Sequence, residues 1–224
     1  MNPEHNTANA ATTLVGAGDV SPDHLRAALS VAPALVAADG GAHHLAATGH
    51  RPQAIIGDLD SLGARETWDA QGVVIHHVPE QESTDFDKCL RMVQAPLFVA
   101  VGFAGDRLDH MLAALSVLAA RPDKAAILMG GCDLCFLAPL STTLQLDPLQ
   151  RVSLWPIAPT RVLHSEGLEW PADDLLLDPT GRTGTSNRAI GGRVSLSFDR
   201  RGVFVILPDT ALPAAVACLS MPAD

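Results

Sequence analysis

The chain has 224 residues, 47% hydrophobic and 18% charged, with a formal net charge of -10. That apolar share excludes a disordered chain, and no apolar run reaches the roughly 18 residues needed to span a bilayer. An acidic surface repels phosphate backbones, so nucleic-acid binding is not expected. Tyrosine is absent, which excludes a tyrosine nucleophile. The N-terminus has no basic patch followed by an apolar core, so the expected location is cytoplasmic.

In chain order, residues 13–16 read as a strand. Ser21 reads as an N-cap and Pro22 as a first-turn proline, ahead of Leu25, Ala28, Leu29 and Ala32 at i, i+3, i+4, i+7. Residues 34–38 form the next strand, and Asp39-Gly40-Gly41 turns into a helix reaching about Thr48. Further strands fall at 54–57, 73–76, 97–101 and 125–129, with helical patterns between them. Such alternation predicts an α/β fold with a mostly parallel sheet and flanking helices.

After about Pro139 the texture changes. Short apolar runs at 144–146, 152–155, 162–164, 175–177, 194–198 and 203–207 are separated by Pro, Gly, Asp and Asn. They predict a small all-β sandwich, with domains at 1–138 and 139–224. A 3.6-residue period returns only in the Ala-rich tail. Cys132 and Cys135 have C-x-x-C spacing, but no second pair follows to complete a zinc site. They read as structural buried thiols on opposite faces of a strand.

Three segments carry candidate chemistry. In Ile55-Ile56-Gly57-Asp58-Leu59-Asp60-Ser61 a strand ends and two carboxylates follow two residues apart. In an extended loop both point the same way, with Leu59 opposite. Like charges held close call for a cation, and hard oxygen ligands suit Mg²⁺. Ligands of open α/β sheets also sit beyond the carboxyl ends of strands. A polar turn is the alternative reading.

In Gln81-Glu82-Ser83-Thr84-Asp85-Phe86-Asp87-Lys88, Thr84 and Asp87 resemble a capping box. Phe86, Cys89, Leu90 and Val93 form the buried stripe, and Asp85 shares a face with Lys88. That pair suits a metal and a phosphate; a dipole-favoured Asp85 with a solvated Lys88 is the plainer alternative. In Gly102-Phe103-Ala104-Gly105-Asp106-Arg107-Leu108-Asp109-His110, a glycine-rich loop opens a helix. Its core face reads as Leu108, Met111, Leu112, Leu115 and Leu118. Arg107 is placed to grip phosphate, and Asp109 otherwise answers an Asp106 cap. Gly184-Thr185-Ser186-Asn187 reads by default as a turn.

Taken together, these segments resemble the thiamine pyrophosphokinase (thiamin diphosphokinase) family. The matching motifs are Ala38-Asp39-Gly40-Gly41-Ala42, Gly57-Asp58-Leu59-Asp60-Ser61, Ser83-Thr84-Asp85-Phe86-Asp87-Lys88, Gly105-Asp106-Arg107-Leu108-Asp109-His110, and Thr185-Ser186-Asn187 after Gly167-Leu168-Glu169-Trp170. The resemblance implies transfer of a pyrophosphoryl group from ATP to the hydroxyl of thiamine, releasing AMP. It implies Mg²⁺ held by the carboxylates Asp58, Asp60 and Asp85, which are also the catalytic candidates. It places Asp39, Gly40, Ser61, Lys88 and Arg107 at the nucleotide, and Gln81, Asp109, Ser186 and Asn187 on the thiamine side. It also implies a homodimer with sites shared between chains. Some members carry an aromatic after the last motif, where this chain has Arg188 and Ala189. A cation there must turn away from a cationic thiazolium. A D-x-D nucleotide-sugar transferase and a non-catalytic thiamine- or nucleotide-binding relative are the alternatives.

Overall fold

The computed structural model describes residues 5–6, 10–60, 62, 65–105 and 107–221. Its backbone clusters into two compact units, one of residues 1–117 with 128–131 and one of residues 118–127 with 132–224.

The first unit is the α/β part. β1 (Thr12–Val15), β2 (Ala34–Ala38), β3 (Ala54–Gly57), β4 (Val74–His77) and β5 (Phe98–Val101) alternate with α1 (Pro22–Val31), α2 (Gly41–Ala47), α3 (Arg65–Ala70) and α4 (Asp85–Met92). Every strand pairing recorded among these five is parallel: β1 with β5, β2 with β3, and β3 with β4. β1, β2, β3 and β5 are buried along their whole length, as strands covered on both faces must be. Their small and β-branched side chains fit that demand. Ser21 caps α1 as its sequence predicts, accepting the Asp23 N–H, with Pro22 behind it.

Glycine at Gly41 is a packing requirement. A Cβ there would lie 2.0 Å from the Val15 carbonyl oxygen, so α2 starts hard against the end of β1. Gly57 has the same function one strand over, since its Cβ would lie 2.7 Å from the Asp39 Cβ. These two close approaches draw the strand ends of this unit together.

α5 (Leu108–Ala120) follows. Its buried positions are Ala114 and Leu118, whereas Leu108 is 62% exposed and Leu112 is also exposed. The predicted leucine face is therefore corrected at Leu108 and Leu112, while Leu118 is buried as expected. The helix is apolar nearly all round, so periodicity alone cannot say which stripe packs.

The second unit is antiparallel, as predicted for a β-rich part. β7 (Asp133–Leu137), which follows β6 (Ala126–Gly130), pairs with β13 (Val203–Pro208), β13 with β9 (Arg151–Pro156), and β9 with β11 (Gly184–Arg188). A second sheet runs β8 (Ser141–Leu146), β12 (Gly192–Phe198), β10 (Thr160–Glu166) and then Leu176–Leu177. β8 alternates exposed and buried positions, the signature of one covered face. The apolar tail forms α6 (Leu212–Leu219), which packs on β8 through Leu212, Ala215 and Cys218. Cys135 is buried as expected but Cys132 is exposed, and all four cysteines are free. No helix among the described residues is long and apolar enough to cross a membrane.

Candidate active site

The carboxyl ends of the parallel strands carry the acidic residues. Asp39 follows β2 and Asp58 follows β3; the pairing of Ala38 with Ile56 puts them side by side. The Asp39 N–H donates to the Ile56 carbonyl, and the bare Gly57 lets the Asp39 side chain approach. Asp39, Asp58 and Asp60 each offer a carboxylate oxygen, and the three oxygens lie within 4.8 Å of one another. Asp39 is buried, Asp58 half-buried and Asp60 exposed. Three like charges so close repel unless a cation is shared, and an all-oxygen set fits a hard divalent ion.

The Asp58–Asp60 loop is a turn and not an extended segment. Leu59 has φ +66° and Asp39 has φ +41°, left-handed conformations that non-glycine residues rarely hold. The Asp60 N–H reaches the Asp58 Oδ1 at 3.4 Å, so the turn folds back on its own first side chain. The two carboxylates still converge. His43 on α2 bonds the Leu62 carbonyl at 3.1 Å and ties this loop to the helix behind it. Ser61 lies outside the described residues.

Across from this edge, α4 begins under a Thr84 cap whose Oγ1 accepts the Asp87 N–H at 3.3 Å. Phe86, Cys89 and Leu90 bury one face, and Lys88 is buried with them at 2% exposure. The solvated-lysine alternative is thereby excluded. Lys88 Nζ lies 3.0 Å from Asp85 Oδ1, as the i, i+3 spacing predicts. One Asp85 oxygen thus pairs with Lys88, while Asp39 joins Asp58 and Asp60 in the clustered carboxylates.

Gln81 Nε2 donates to Asp58 Oδ2 at 2.6 Å. That bond, with smaller help from the Asp60 N–H and the Lys88 charge, holds the Asp58 carboxyl below its usual range. Asp58, Gln81, Thr84, Asp85 and Lys88 line one cleft of about 310 Å³. Phe86 and Phe103, with ring centroids 4.6 Å apart, line it beside Gly18 and Gly102, and Ser83 and His110 add polar groups. Gly102 has φ +77°, and its Cβ would lie 2.6 Å from the Gly16 carbonyl oxygen. No other residue lets the chain leave β5 so close to the end of β1.

Arg107 and Asp109 pair with each other at the start of α5. Arg107 Nε and Nη2 reach the two Asp109 oxygens at 3.2 and 2.7 Å. Both are exposed, and the ion pair lowers the Asp109 pKa and raises that of Arg107. The proposed Asp106 cap lies outside the described residues. Gly40 caps α2 with its backbone in the helical region and is buried.

In the β unit, Ser186 and Asn187 lie on β11, an edge strand and not the default turn. Ser186 has φ +64°, and a register shift between Val152 and Leu154 accompanies it. A bulged edge strand reads in sequence like a polar turn because it lacks apolar alternation. The Asn187 side chain clamps a turn: its Nδ2 donates to the Trp170 carbonyl at 2.7 Å, and its Oδ1 accepts the Trp170 N–H at 3.3 Å. Trp170 is thereby held 52% exposed at the rim of a groove of about 160 Å³ that Thr185 and Asn187 also line. Arg188 pairs through two nitrogens with Glu169, and its guanidinium stands 5.3 Å from the Trp170 ring centroid. Its charge is therefore spent on Glu169.

Sequence reasoning missed Asp39 as a neighbour of Asp58 and Asp60, the Phe86–Phe103 wall, and the Glu80–Arg91 ion pair beside Gln81. The Asp39-Gly40-Gly41 motif at a strand end was the available signal for the first.

A parallel-stranded unit with clustered carboxylates and one buried lysine, joined in sequence to an antiparallel unit, defines a two-part α/β protein with an acid-lined cleft. Two family models match it: the thiamin pyrophosphokinase catalytic domain over residues 25–129, and the thiamin pyrophosphokinase vitamin B1 binding domain over residues 141–203. The chain belongs to the thiamin pyrophosphokinase family. Thiamine pyrophosphokinase 3 of rice (Oryza sativa subsp. japonica) is 28% identical over 156 residues, 62% of this chain. That match spans 58% of the length of the rice protein. The same fold is seen in yeast thiamin pyrophosphokinase, with a TM-score of 0.75 at 19% identity, covering 98% of this chain and 93% of that one. It is also seen in thiamine pyrophosphokinase from Bacillus subtilis, with a TM-score of 0.71 at 20% identity, covering 88% and 98%.

Proposed function

We propose that the protein transfers the pyrophosphoryl group of ATP to the hydroxyl of thiamine, giving thiamine diphosphate and AMP. The observation that carries this reading is the cleft in which Asp58 faces the buried Lys88–Asp85 pair. In the reaction the hydroxyl oxygen bonds to the β-phosphorus and the bond from that phosphorus to the α–β bridging oxygen breaks. AMP carries the bridging oxygen away, and the hydroxyl proton passes to a carboxylate of the acidic edge. The loose transition state of phosphoryl transfer asks little of a base and much of positioning and charge.

The residues divide that work. Asp58 and Asp60, with Asp39 beside them and Asp85 across the cleft, are the carboxylates for Mg²⁺, which supplies charge neutralisation to the phosphates. Lys88 offers a desolvated cation fixed in place, and Gln81 orients Asp58. Gly40 and Ser61 belong to the nucleotide-side loops. Arg107 serves the phosphates by exchanging Asp109 for them, since an exposed ion pair is worth little. Gln81, Asp109, Ser186 and Asn187 are the thiamine-side groups, with residues 1–138 as the catalytic part and 139–224 as the thiamine-binding part. Arg188 raises no electrostatic objection to a thiazolium, because Glu169 neutralises it.

The test is to incubate protein, ATP, Mg²⁺ and thiamine and to separate the products by chromatography. AMP and thiamine diphosphate accumulating together are expected, and EDTA abolishes both. ADP rising with thiamine monophosphate would show a simple kinase. Turnover of a nucleotide sugar would show the D-x-D transferase alternative, which leaves Lys88 and Asp85 without a task. Binding without turnover would show a non-catalytic relative.

The proposal extends to a cytoplasmic homodimer whose sites are shared between chains. Mixing inactive Asp60→Ala and Asn187→Ala chains by unfolding and refolding makes half of the dimers mixed, and each mixed dimer has one undamaged site. About a quarter of wild-type activity returns on symmetry alone. No recovery, with mixed dimers confirmed by mass spectrometry, would place each site within one chain.

A further inference from the structure

We propose that Glu80 and Arg91 form a brace that positions Gln81, and through it Asp58, for the reaction; this rests on the catalytic reading above. Neither residue lines the cleft. The segment from Val78 to Thr84 has no regular secondary structure, so side-chain bonds must fix its course. Glu80 supplies them. One of its oxygens accepts the N–H groups of Glu82 and Ser83 at 2.9 and 3.0 Å. The other accepts the Ser83 hydroxyl and Arg91 Nη2, the latter at 2.6 Å.

Arg91 then fastens this closed loop to α4. Its Nη2 also lies 2.9 Å from Ser83 Oγ, and its Nε lies 3.1 Å from Asp87 Oδ2. α4 is the helix that carries Asp85 and Lys88. Gln81 stands inside the braced loop, and its Nε2 donates to Asp58 Oδ2 at 2.6 Å. One chain of contacts therefore runs from α4 through Arg91, Glu80 and Gln81 to the loop after β3. It sets the separation between Asp58 and the Lys88–Asp85 pair, the two sides of the cleft.

A lone surface ion pair would contribute little, but here one carboxylate accepts four hydrogen bonds, one from a guanidinium and two from the backbone. The Ser83 hydroxyl and then Arg91 hold the Glu80 carboxyl at about 2, so it remains an acceptor throughout the working pH range. Arg91 also pairs with Asp87. The arrangement is that of a support for a reacting geometry, which tolerates misplacement poorly.

The test is a double-mutant cycle. Glu80→Gln keeps shape and removes charge; Arg91→Ala removes the anchor; Arg91→Lys keeps charge without the fork. Steady-state kinetics, thermal unfolding and hydrogen exchange of the 80–84 amides are measured for each, alone and combined with Gln81→Ala. We expect kcat/KM for ATP to fall about tenfold in Glu80→Gln and Arg91→Ala, the scale of one charge-assisted bond, with little rescue in Arg91→Lys. Exchange at 80–84 quickens at least about tenfold, while the global unfolding midpoint moves by only a few degrees. Adding Glu80→Gln to Gln81→Ala costs nothing further, because Glu80 acts on Asp58 only through Gln81. Unchanged kinetics despite faster exchange, or fully additive losses with Gln81→Ala, would overturn the brace. If the wild type forms no thiamine diphosphate, the catalytic reading fails by itself. The same cycle is then read on calorimetric affinity for Mg²⁺ and a non-hydrolysable ATP analogue, with the same two outcomes deciding.

Discussion

Asp58→Asn is expected to lower kcat at least about a hundredfold while the thermal midpoint moves by only a few degrees. The asparagine side chain has the same shape and keeps an oxygen to accept the Gln81 amide, which bonds Asp58 at 2.6 Å. What changes is charge. The Asp39, Asp58 and Asp60 oxygens lie within 4.8 Å of one another, so removing one charge relieves repulsion in the folded protein. The fold nonetheless favours the Asp58 charge through Gln81, so the exchange is expected to cost a little stability and no more, because the site is open to water. Catalysis loses one of the fixed charges that neutralise a polyanionic nucleotide through its divalent ion, a loss on the scale of one preorganised electrostatic contact. Parallel kinetics and melting curves separate the two effects. Activity within threefold of wild type would remove Asp58 from the reaction.

Lys88→Met is the second large effect. The methionine fills the space of the lysine stem, so the packing around this buried side chain is largely kept. The lysine that is lost is 2% exposed, and its Nζ lies 3.0 Å from Asp85 Oδ1. A cation withdrawn from water acts on nearby phosphates far more strongly than a solvated one. We expect kcat/KM for ATP to fall at least about a hundredfold. The cost in stability is smaller than the roughly 3–5 kcal/mol of breaking a fully buried pair. The Asp85 side chain is 34% accessible and rehydrates when its partner leaves. Lys88→Arg restores little, because a planar fork does not fit the space of a compact ammonium. A Lys88→Met enzyme with normal kcat/KM for ATP would assign the lysine to folding alone.

The parts of this site that sequence made legible are local. Thr84, Asp85 and Lys88 lie within one helical turn, so a cap and an i, i+3 pair follow from spacing. Ser21 and Pro22 announce α1 in the same way. What sequence hid depends on long-range pairing. Asp39 meets Asp58 because β2 and β3 pair in one register and Gly57 leaves room, neither of which is a property of either segment alone. The Glu80–Arg91 contact joins residues eleven apart across a loop and a helix. Leu59 adopts a left-handed backbone that its side chain disfavours, so an extended loop was the natural expectation.

Two misreadings share a physical cause. The polar 184–188 segment is a bulged edge strand, where the usual alternation of apolar and polar residues is absent. α5 carries leucines on its solvent side, where an apolar period suggested core. In both, periodicity reported composition along the chain and not which face is covered. Arg188 shows the reverse case: a charge that looked out of place in sequence has its partner, Glu169, nineteen residues earlier.

The β- and γ-phosphoryl groups are expected to move together. Supplying ATP labelled at the β-phosphorus, with Mg²⁺ and thiamine, tests it directly. The label is expected to leave the nucleotide entirely and to appear in thiamine diphosphate, with unlabelled AMP in equal amount. Label retained in ADP, with only the γ-phosphoryl group transferred, would contradict it.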